Sequence, residues 1–264
     1  MVTSIQSFFV KVFKTYANSF LKLIPYLALL FVFLTFVFFA QYSVALYLVL
    51  VPGTFFRLFF NIIGAIVYTF VTFMMTMAMI KVIAAKYTTN VLPKVFKNVK
   101  ETFFITLKNF FTLALLILPG LFTYIVYLIG KMGYLSPYVL ISLFLLIIIV
   151  GISFFFWFSF VMVVLPLENS KGLGSFSKSI KMVSGRFGLV FSRLLFLFLF
   201  LFVTFFFYNE ISYMITQGTL FYLLFMLAFL VFAIPFYPVG FTVLYLSLQN
   251  EDMKKEALEE NLLS

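Results

Sequence analysis

The stretch PKVFKNVKETFFI, residues 93–105, has two counterparts in this chain: VKVFKTYANSFLK at 10–22 and SKSIKMVSGRFGL at 177–189. In each copy two lysines stand three residues apart, and a phenylalanine follows nine residues after the first lysine. The first lysines are residues 11, 94 and 178, which gives intervals of 83 and 84 residues. A period of this kind indicates a repeat architecture. Because each copy precedes a long apolar stretch, the chain is predicted to contain three similar membrane units in a row.

The composition is that of a membrane protein. Of the 264 residues, 65% are hydrophobic and 10% are charged, whereas an ordinary soluble domain carries about 25% charged residues. A helix needs about 20 apolar residues to span a bilayer. The uncharged runs predict an all-α membrane protein with six transmembrane helices; they cover residues 23–56, 58–80, 109–130, 132–167, 194–209 and 211–250. The fifth run is short and has to include residues 187–192, which predicts that Arg193 snorkels to the headgroups.

The lysines and arginines are distributed unequally between the predicted loops. Sixteen of the eighteen lie in the N-terminal stretch, the second-to-third and fourth-to-fifth connections, and the tail; the exceptions are Arg57 and Lys131. The positive-inside rule therefore predicts a multi-pass protein of the cell (plasma or inner) membrane with both termini in the cytoplasm. The net charge of +10 is explained by these lysines and arginines beside the predicted spans, so nucleic-acid binding is not predicted.

The repeat unit is predicted to be one cytoplasmic amphipathic interfacial helix followed by two spans. This gives approximate units 5–86, 88–171 and 172–250 within a single six-span domain, 1–250, and a short acidic cytoplasmic tail, 251–264. Two spans return the chain to its starting side, so the three repeats are parallel, related by an axis along the membrane normal.

The repeated motif has apolar positions at helical spacing. The second copy places Leu92, Phe96, Val99 and Phe103 on one narrow stripe, with its two lysines opposite. Such a helix lies in the membrane interface, where lysines bind anionic headgroups. The candidate anionic-lipid contacts are Lys11, Lys14, Lys94, Lys97, Lys178, Lys181 and Arg186. The alternative is that these residues only fix the topology, while the stripe packs on neighbouring spans.

A longer stretch around the third copy carries a family resemblance. The sequence VVLPLENSKGLGSFSKSIKMVSGRFGLVF, residues 163–191, contains Pro166-x-Glu168, then Ser179 and Lys181 before Gly185 and Phe187. It resembles a recurring segment of bacterial and archaeal six-span proteins. These are the membrane domain that accompanies some glycerophosphodiester phosphodiesterases and the stand-alone YciC-like proteins. The resemblance implies the six-span fold and no particular activity, because the stand-alone members have none established.

Residues for catalysis or metal binding are scarce. The chain has no histidine and no cysteine, and five of its eight carboxylates crowd the tail. Neither a phosphate-binding loop nor a dinucleotide fingerprint is present. We therefore predict that the protein is not an enzyme and has no cofactor or metal site.

Helix breakers within two predicted spans are candidate kinks. They are Pro119 and Gly120 in the third span, and Pro235, Pro238 and Gly240 in the sixth. A proline frees a backbone carbonyl that can line a cavity. The alternative is that the kinks only serve helix packing.

Three functions remain open on the sequence. The first is a protein that binds, senses or moves lipids through its basic interfacial helices, with anionic headgroups as its partners. The second is a membrane scaffold or anchor for a protein partner. The third is a transporter or pore for a small solute, although no ionisable residue is predicted at membrane depth.

Overall fold

A computed structural model describes residues 4–50, 54–89, 91–116, 118–131, 136–168, 172–214 and 220–263. Within these ranges every regular element is an α-helix. The helices are α1 (Ile5–Leu50), α2 (Thr54–Thr88), α3 (Val95–Lys108), α4 (Phe110–Leu115), α5 (Leu118–Lys131), α6 (Pro137–Phe158), α7 (Val161–Glu168), α8 (Gly174–Val183), α9 (Phe187–Met214) and α10 (Leu220–Leu263).

Five helical segments in the described part of the chain are long and apolar enough to cross a membrane. They are Ile5–Val37, Ile62–Thr88, Tyr138–Glu168, Phe187–Ile211 and Val231–Met253. The predicted all-helical membrane class therefore agrees with the structure, whereas the predicted count of six spans does not follow from it.

The difference lies in the third predicted span, residues 109–130. Here the chain forms two short helices, α4 ending at Leu115 and α5 beginning at Leu118. Pro119 is the second residue of α5, and a proline is tolerated in the first turn of a helix, where its missing backbone N–H would have no intrahelical partner. A new helix therefore begins beside Pro119, and neither piece alone reaches the length of a span.

The three motif copies do not fold alike. The second and third copies form the separate short helices α3 and α8, and α8 ends before Gly185, whose φ of 77° is a typical helix-terminating conformation. The first copy instead continues directly into the membrane helix, because α1 runs for 46 residues, or about 69 Å. The prediction of a separate interfacial helix before every pair of spans is therefore wrong for the first unit. The helix continues through Pro25, which lies inside it.

The buried core lies at one end of the bundle. A single cluster joins residues 8–27 of α1, 77–84 of α2, 160–165 of α7 and the loop before it, 190–197 of α9 and 236–248 of α10. The opposite halves of these helices expose large apolar side chains, among them Val32, Phe36, Ile62 and Phe202. The helices therefore pack closely near the basic motif copies and present apolar surface to the bilayer elsewhere. We call the packed end, with its motif lysines, the basic end.

Candidate functional site

Buried polar contacts fix α3 at the basic end. The amide nitrogen of Asn98 donates to the Tyr26 hydroxyl at 3.0 Å and to the Ala78 carbonyl at 2.9 Å, which ties α3 to both α1 and α2. The buried face of α3 is polar, with Asn98, Thr102 and Thr106, while Phe96 is 85% exposed. This orientation leaves Lys94 and Lys97 exposed at the surface.

Asn109 brings the second and third motif copies together. Its side-chain nitrogen donates to the Ile105 carbonyl at 2.8 Å, and its side-chain oxygen accepts from the Gly172 N–H at 2.8 Å. Gly172 has a positive φ of 52° and lies just before α8. The end of α3 and the start of α8 are therefore neighbours.

The residues of the family resemblance form structural contacts. Glu168, at the end of α7, forms an ion pair with Lys178 and accepts a hydrogen bond from the Tyr245 hydroxyl of α10. The buried Ser179 hydroxyl donates to the Trp157 carbonyl at 2.8 Å and accepts from the Phe160 N–H at 3.2 Å. These contacts hold α8 against α6 and α7, and they hold α7 against α10.

Two further ion pairs connect helices at the basic end. Arg186 forms a bidentate pair with Asp252 and donates to the Leu248 carbonyl at 3.4 Å. The hydrogen bond from Arg186 to Asp252 raises the pKa of the guanidinium, with additional attraction from both Asp252 and Glu251. The second pair joins Lys81 of α2 to Glu101 of α3. That hydrogen bond lowers the pKa of the Glu101 carboxyl, and the charges of Lys81 and Lys97 lower it further.

The ion pairs divide the predicted lipid contacts into two groups. Lys178 and Arg186 are paired with carboxylates, so their charges are partly neutralised within the protein. Among the described residues, no carboxylate lies within 4.0 Å of the other five candidates. These five are Lys11, Lys14, Lys94, Lys97 and Lys181, and all are exposed.

Lys11 and Lys14 line a polar recess between α1 and α2. The recess has a volume of about 270 Å³ and is lined by Lys11, Lys14, Thr15, Asn18, Ser19, Lys86 and Tyr87. The antiparallel packing of the two helices places Lys86, near the end of α2, beside the first motif copy. Sequence reasoning missed Lys86 because helical periodicity relates only residues within one helix. The prediction that the first two spans run in opposite directions could have indicated that the end of α2 lies beside the first motif copy.

Arg193 is buried instead of snorkelling. It is 1% exposed, and its guanidinium carbon lies 5.4 Å from the centroid of the Phe8 ring. Such a geometry is a cation–π contact between α9 and α1. The prediction that Arg193 reaches the headgroups from a lipid-exposed position is therefore wrong. The short uncharged run after it does not distinguish an arginine at the membrane boundary from one inside the packed end.

The candidate kink residues lie in two different settings. Pro119 and Gly120 fall in the first turn of α5, immediately after the interruption that follows Leu115. Pro235 and Pro238 lie inside the continuous helix α10, where the Thr242 hydroxyl donates to the Pro238 carbonyl at 2.6 Å. Gly240 marks a close approach between helices, because a Cβ there would lie 2.8 Å from a methyl group of Leu197.

Apolar clefts open on the membrane-facing parts of the bundle. The largest of those in the described residues, about 610 Å³, is lined by residues of α2, of α5 to α7 and of α10, including Phe73, Ile148, Phe155, Ser159 and Tyr237. Another, about 510 Å³, lies between α1, α2 and Phe103 of α3. Both volumes fall in the range of about 300–1,000 Å³ that small-molecule pockets have. Their lining suits a hydrocarbon chain.

No protein-family model, no curated protein and no solved structure matches this chain. The resemblance to the phosphodiesterase-associated membrane domain and the YciC-like proteins therefore stays a prediction.

Proposed function

We propose that this protein is a multi-pass membrane protein that interacts with lipids, binding, sensing or moving anionic amphiphiles through the lysines of its basic end. The observation that carries the proposal is the set of five exposed motif lysines without a carboxylate partner among the described residues. Lysines near an anionic membrane surface each contribute about 1 kcal/mol of attraction. The apolar clefts provide space for the chains of the same amphiphiles.

We also propose six crossings, with both termini in the cytoplasm of a cell membrane. The contact between Asn109 and Gly172 supports an even number of crossings, because it places the start of α4 beside the end of α7. The chain leaves this point through α4 and α5 and returns to it through α6 and α7, and α5 packs against α6. The interrupted α4–α5 segment then serves as the third crossing.

Lipid retention tests the proposed function. The full chain is reconstituted into nanodiscs of mixed zwitterionic and anionic lipids, and the lipids that remain bound after extraction are identified by mass spectrometry. We expect enrichment of anionic lipid over the bulk mixture, and a loss of that enrichment when Lys11, Lys14, Lys94, Lys97 and Lys181 are all replaced by glutamine. Lys178 and Arg186 are left intact because removing either would break an ion pair.

A matched control carries the same loss of charge elsewhere. In it Lys22, Lys100, Lys108, Lys254 and Lys255 are replaced by glutamine. Bulk-like lipid around the wild-type protein would contradict the proposal. Equal losses in the two variants would show that net charge matters and the motif positions do not.

A scaffold or anchor for a protein partner is the second candidate function. The observation that favours it is the extension of α10 through the acidic tail as far as Leu263. The Arg186–Asp252 pair fixes the base of this extension against the start of α9. Crosslinking from the tail in native membranes tests this function, and the absence of a reproducible partner would count against it.

A further inference from the structure

We infer that the recess between α1 and α2 is a binding site for the phosphate group of an anionic amphiphile, with Lys11, Lys14 and Lys86 as charge partners and Ser19 as hydrogen-bond partner. This inference deepens the proposed function and rests on it for the source of the phosphate. It differs from the predicted motif contacts because Lys86 and Ser19 belong to the site, and because the site is a cavity rather than a helix face.

The charges of the recess are unbalanced. Three ammonium groups line it, and no carboxylate is among the described lining residues. Like charges brought together in a confined space repel one another, so an anion between them is stabilised by all three. Among the described residues, neither Lys11, Lys14 nor Lys86 takes part in an ion pair.

The end of α2 does not use its lysine for capping. The Thr88 hydroxyl donates to the Ala84 carbonyl at 2.9 Å, and the Thr89 hydroxyl donates to the Ala85 carbonyl at 3.2 Å. The Ala85 carbonyl also accepts from the Thr89 N–H at 3.0 Å. None of these bonds uses Lys86, and among the described residues Lys86 takes part in no ion pair, so its ammonium is available to a ligand in the recess.

Ser19 supplies an independent observation at the same place. It is fully buried, it lines the recess, and its hydroxyl oxygen has no hydrogen-bond partner among the described residues. A buried hydroxyl without a partner is costly, and most such groups in proteins are bonded. A phosphate oxygen in the recess accepts this O–H and thereby removes the cost. Thr15 and Asn18 add further polar groups to the lining.

The size and position of the recess agree with a headgroup. Its volume of about 270 Å³ lies just below the range of about 300–1,000 Å³ that small-molecule pockets have. That is room for a phosphate with a small substituent and too little for a complete lipid. On α1 the recess is followed by the uncharged run 23–56, so its ligand lies beside the start of the apolar sequence.

The test compares recess variants with a control of equal charge. The recess variants are K11Q/K14Q/K86Q and S19A, and the control is K22Q/K100Q/K108Q, whose three lysines are exposed and lie outside the recess. Retention of phosphatidic acid from nanodiscs of phosphatidic acid and phosphatidylcholine is measured for each full-length variant. We expect the triple recess variant to retain about tenfold less than the wild type. S19A should retain about fivefold less, without any fall in the unfolding temperature of lipid-free protein.

A second arm uses inorganic phosphate on detergent-solubilised protein. A rise in the unfolding temperature of the wild type that the triple variant lacks, without phosphatidic acid retention, supports the phosphate site and assigns a soluble source. If the wild type enriches phosphatidic acid and both recess variants match it, the recess inference is overturned while the proposed function stands. If the wild type responds to neither probe, the recess inference is overturned together with the lipid source on which it rests.

Discussion

Two polar side chains with unusual burial occupy the centre of the basic end. Arg193 lies inside the packed core against Phe8, and Asn98 lies between α1 and α2. Arg193 connects α9 to α1, and Asn98 connects α3 to α1 and α2, each through a directional contact that an apolar residue cannot make. The arrangement of the lysines at the surface therefore depends on these interior residues.

The contact between Arg193 and Phe8 should appear as a coupling energy. In a double-mutant cycle with F8L and R193M, we expect the two changes to be coupled by about 1–2 kcal/mol, because a desolvated cation–π contact is lost with either residue. The free energies of unfolding of the four proteins in detergent give this value. A parallel cycle with F9L is the control, because Phe9 is half-buried and packs against Phe196. Additive effects of F8L and R193M would contradict the assignment.

Removing the Asn98 amide should destabilise the bundle. N98L leaves the Ala78 carbonyl and the Tyr26 hydroxyl without their donor, so we expect a loss of about 1–3 kcal/mol in the free energy of unfolding. The control is T106V, because the Thr106 hydroxyl donates to the Thr102 carbonyl within α3 itself. A smaller effect for N98L than for T106V would show that the amide does not hold the three helices together.

At the scale of elements, the short helices and the helix contacts decide how the lysines are displayed. The sequence pattern identified α3 and α8 as amphipathic segments, and the structure has separate helices at both places. The sequence pattern could not show that the polar face of α3 packs inward. Periodicity distinguishes the two faces of a helix, but it does not indicate which face contacts another helix. The sequence pattern also could not show that α1 is continuous, since that depends on packing between α1, α2 and α10.

The contact between α9 and α10 depends on the absence of a side chain at residue 240. In G240A the new methyl would meet both Leu197 methyl groups at less than 3.0 Å, and Leu197 is itself buried. We expect a cost of about 1–3 kcal/mol in the free energy of unfolding, since overpacked cores must shift side chains or backbone. In the double variant G240A/L197A, the smaller side chain at residue 197 should reduce the destabilisation that G240A causes. A double variant that is no more stable than the sum of the single effects would contradict the close approach.

The Lys81–Glu101 pair gives α2 and α3 a small pH-dependent contact. The pKa of Glu101 is lowered in the folded protein. The pair's contribution to the free energy of unfolding is therefore complete above the ordinary carboxyl pKa of 4.5 and is lost as the pH falls through the lower folded value. The Glu101 side chain is 44% exposed, so we expect this contribution to be less than about 1 kcal/mol. Unfolding of the wild type and E101Q from pH 7 to pH 3 measures it. If the difference in the free energy of unfolding between wild type and E101Q grew at low pH, the assignment of this ion pair would be contradicted.

At the scale of the whole molecule, the protein is asymmetric along its helices. One end has a continuous core, ion pairs and exposed lysines, and the other presents apolar side chains. The long uncharged runs predicted the apolar helices, because bilayer thickness sets their length. The recess could not be predicted, because Lys11 and Lys86 meet only through tertiary packing. Whether the α4–α5 segment crosses the membrane also depends on its partners rather than on its composition.

The lysines of the basic end can meet the headgroups of one leaflet only if this end lies wholly at one membrane surface. The chain has no cysteine, so single cysteines can be introduced and tested for labelling by an impermeant maleimide in sealed vesicles of known orientation. We expect S4C, S177C and N250C to react only from the cytoplasmic side, and S136C and E210C only from the other side. Labelling of S4C and S177C from opposite sides would mean that α4 and α5 do not cross, and it would contradict a single basic membrane surface.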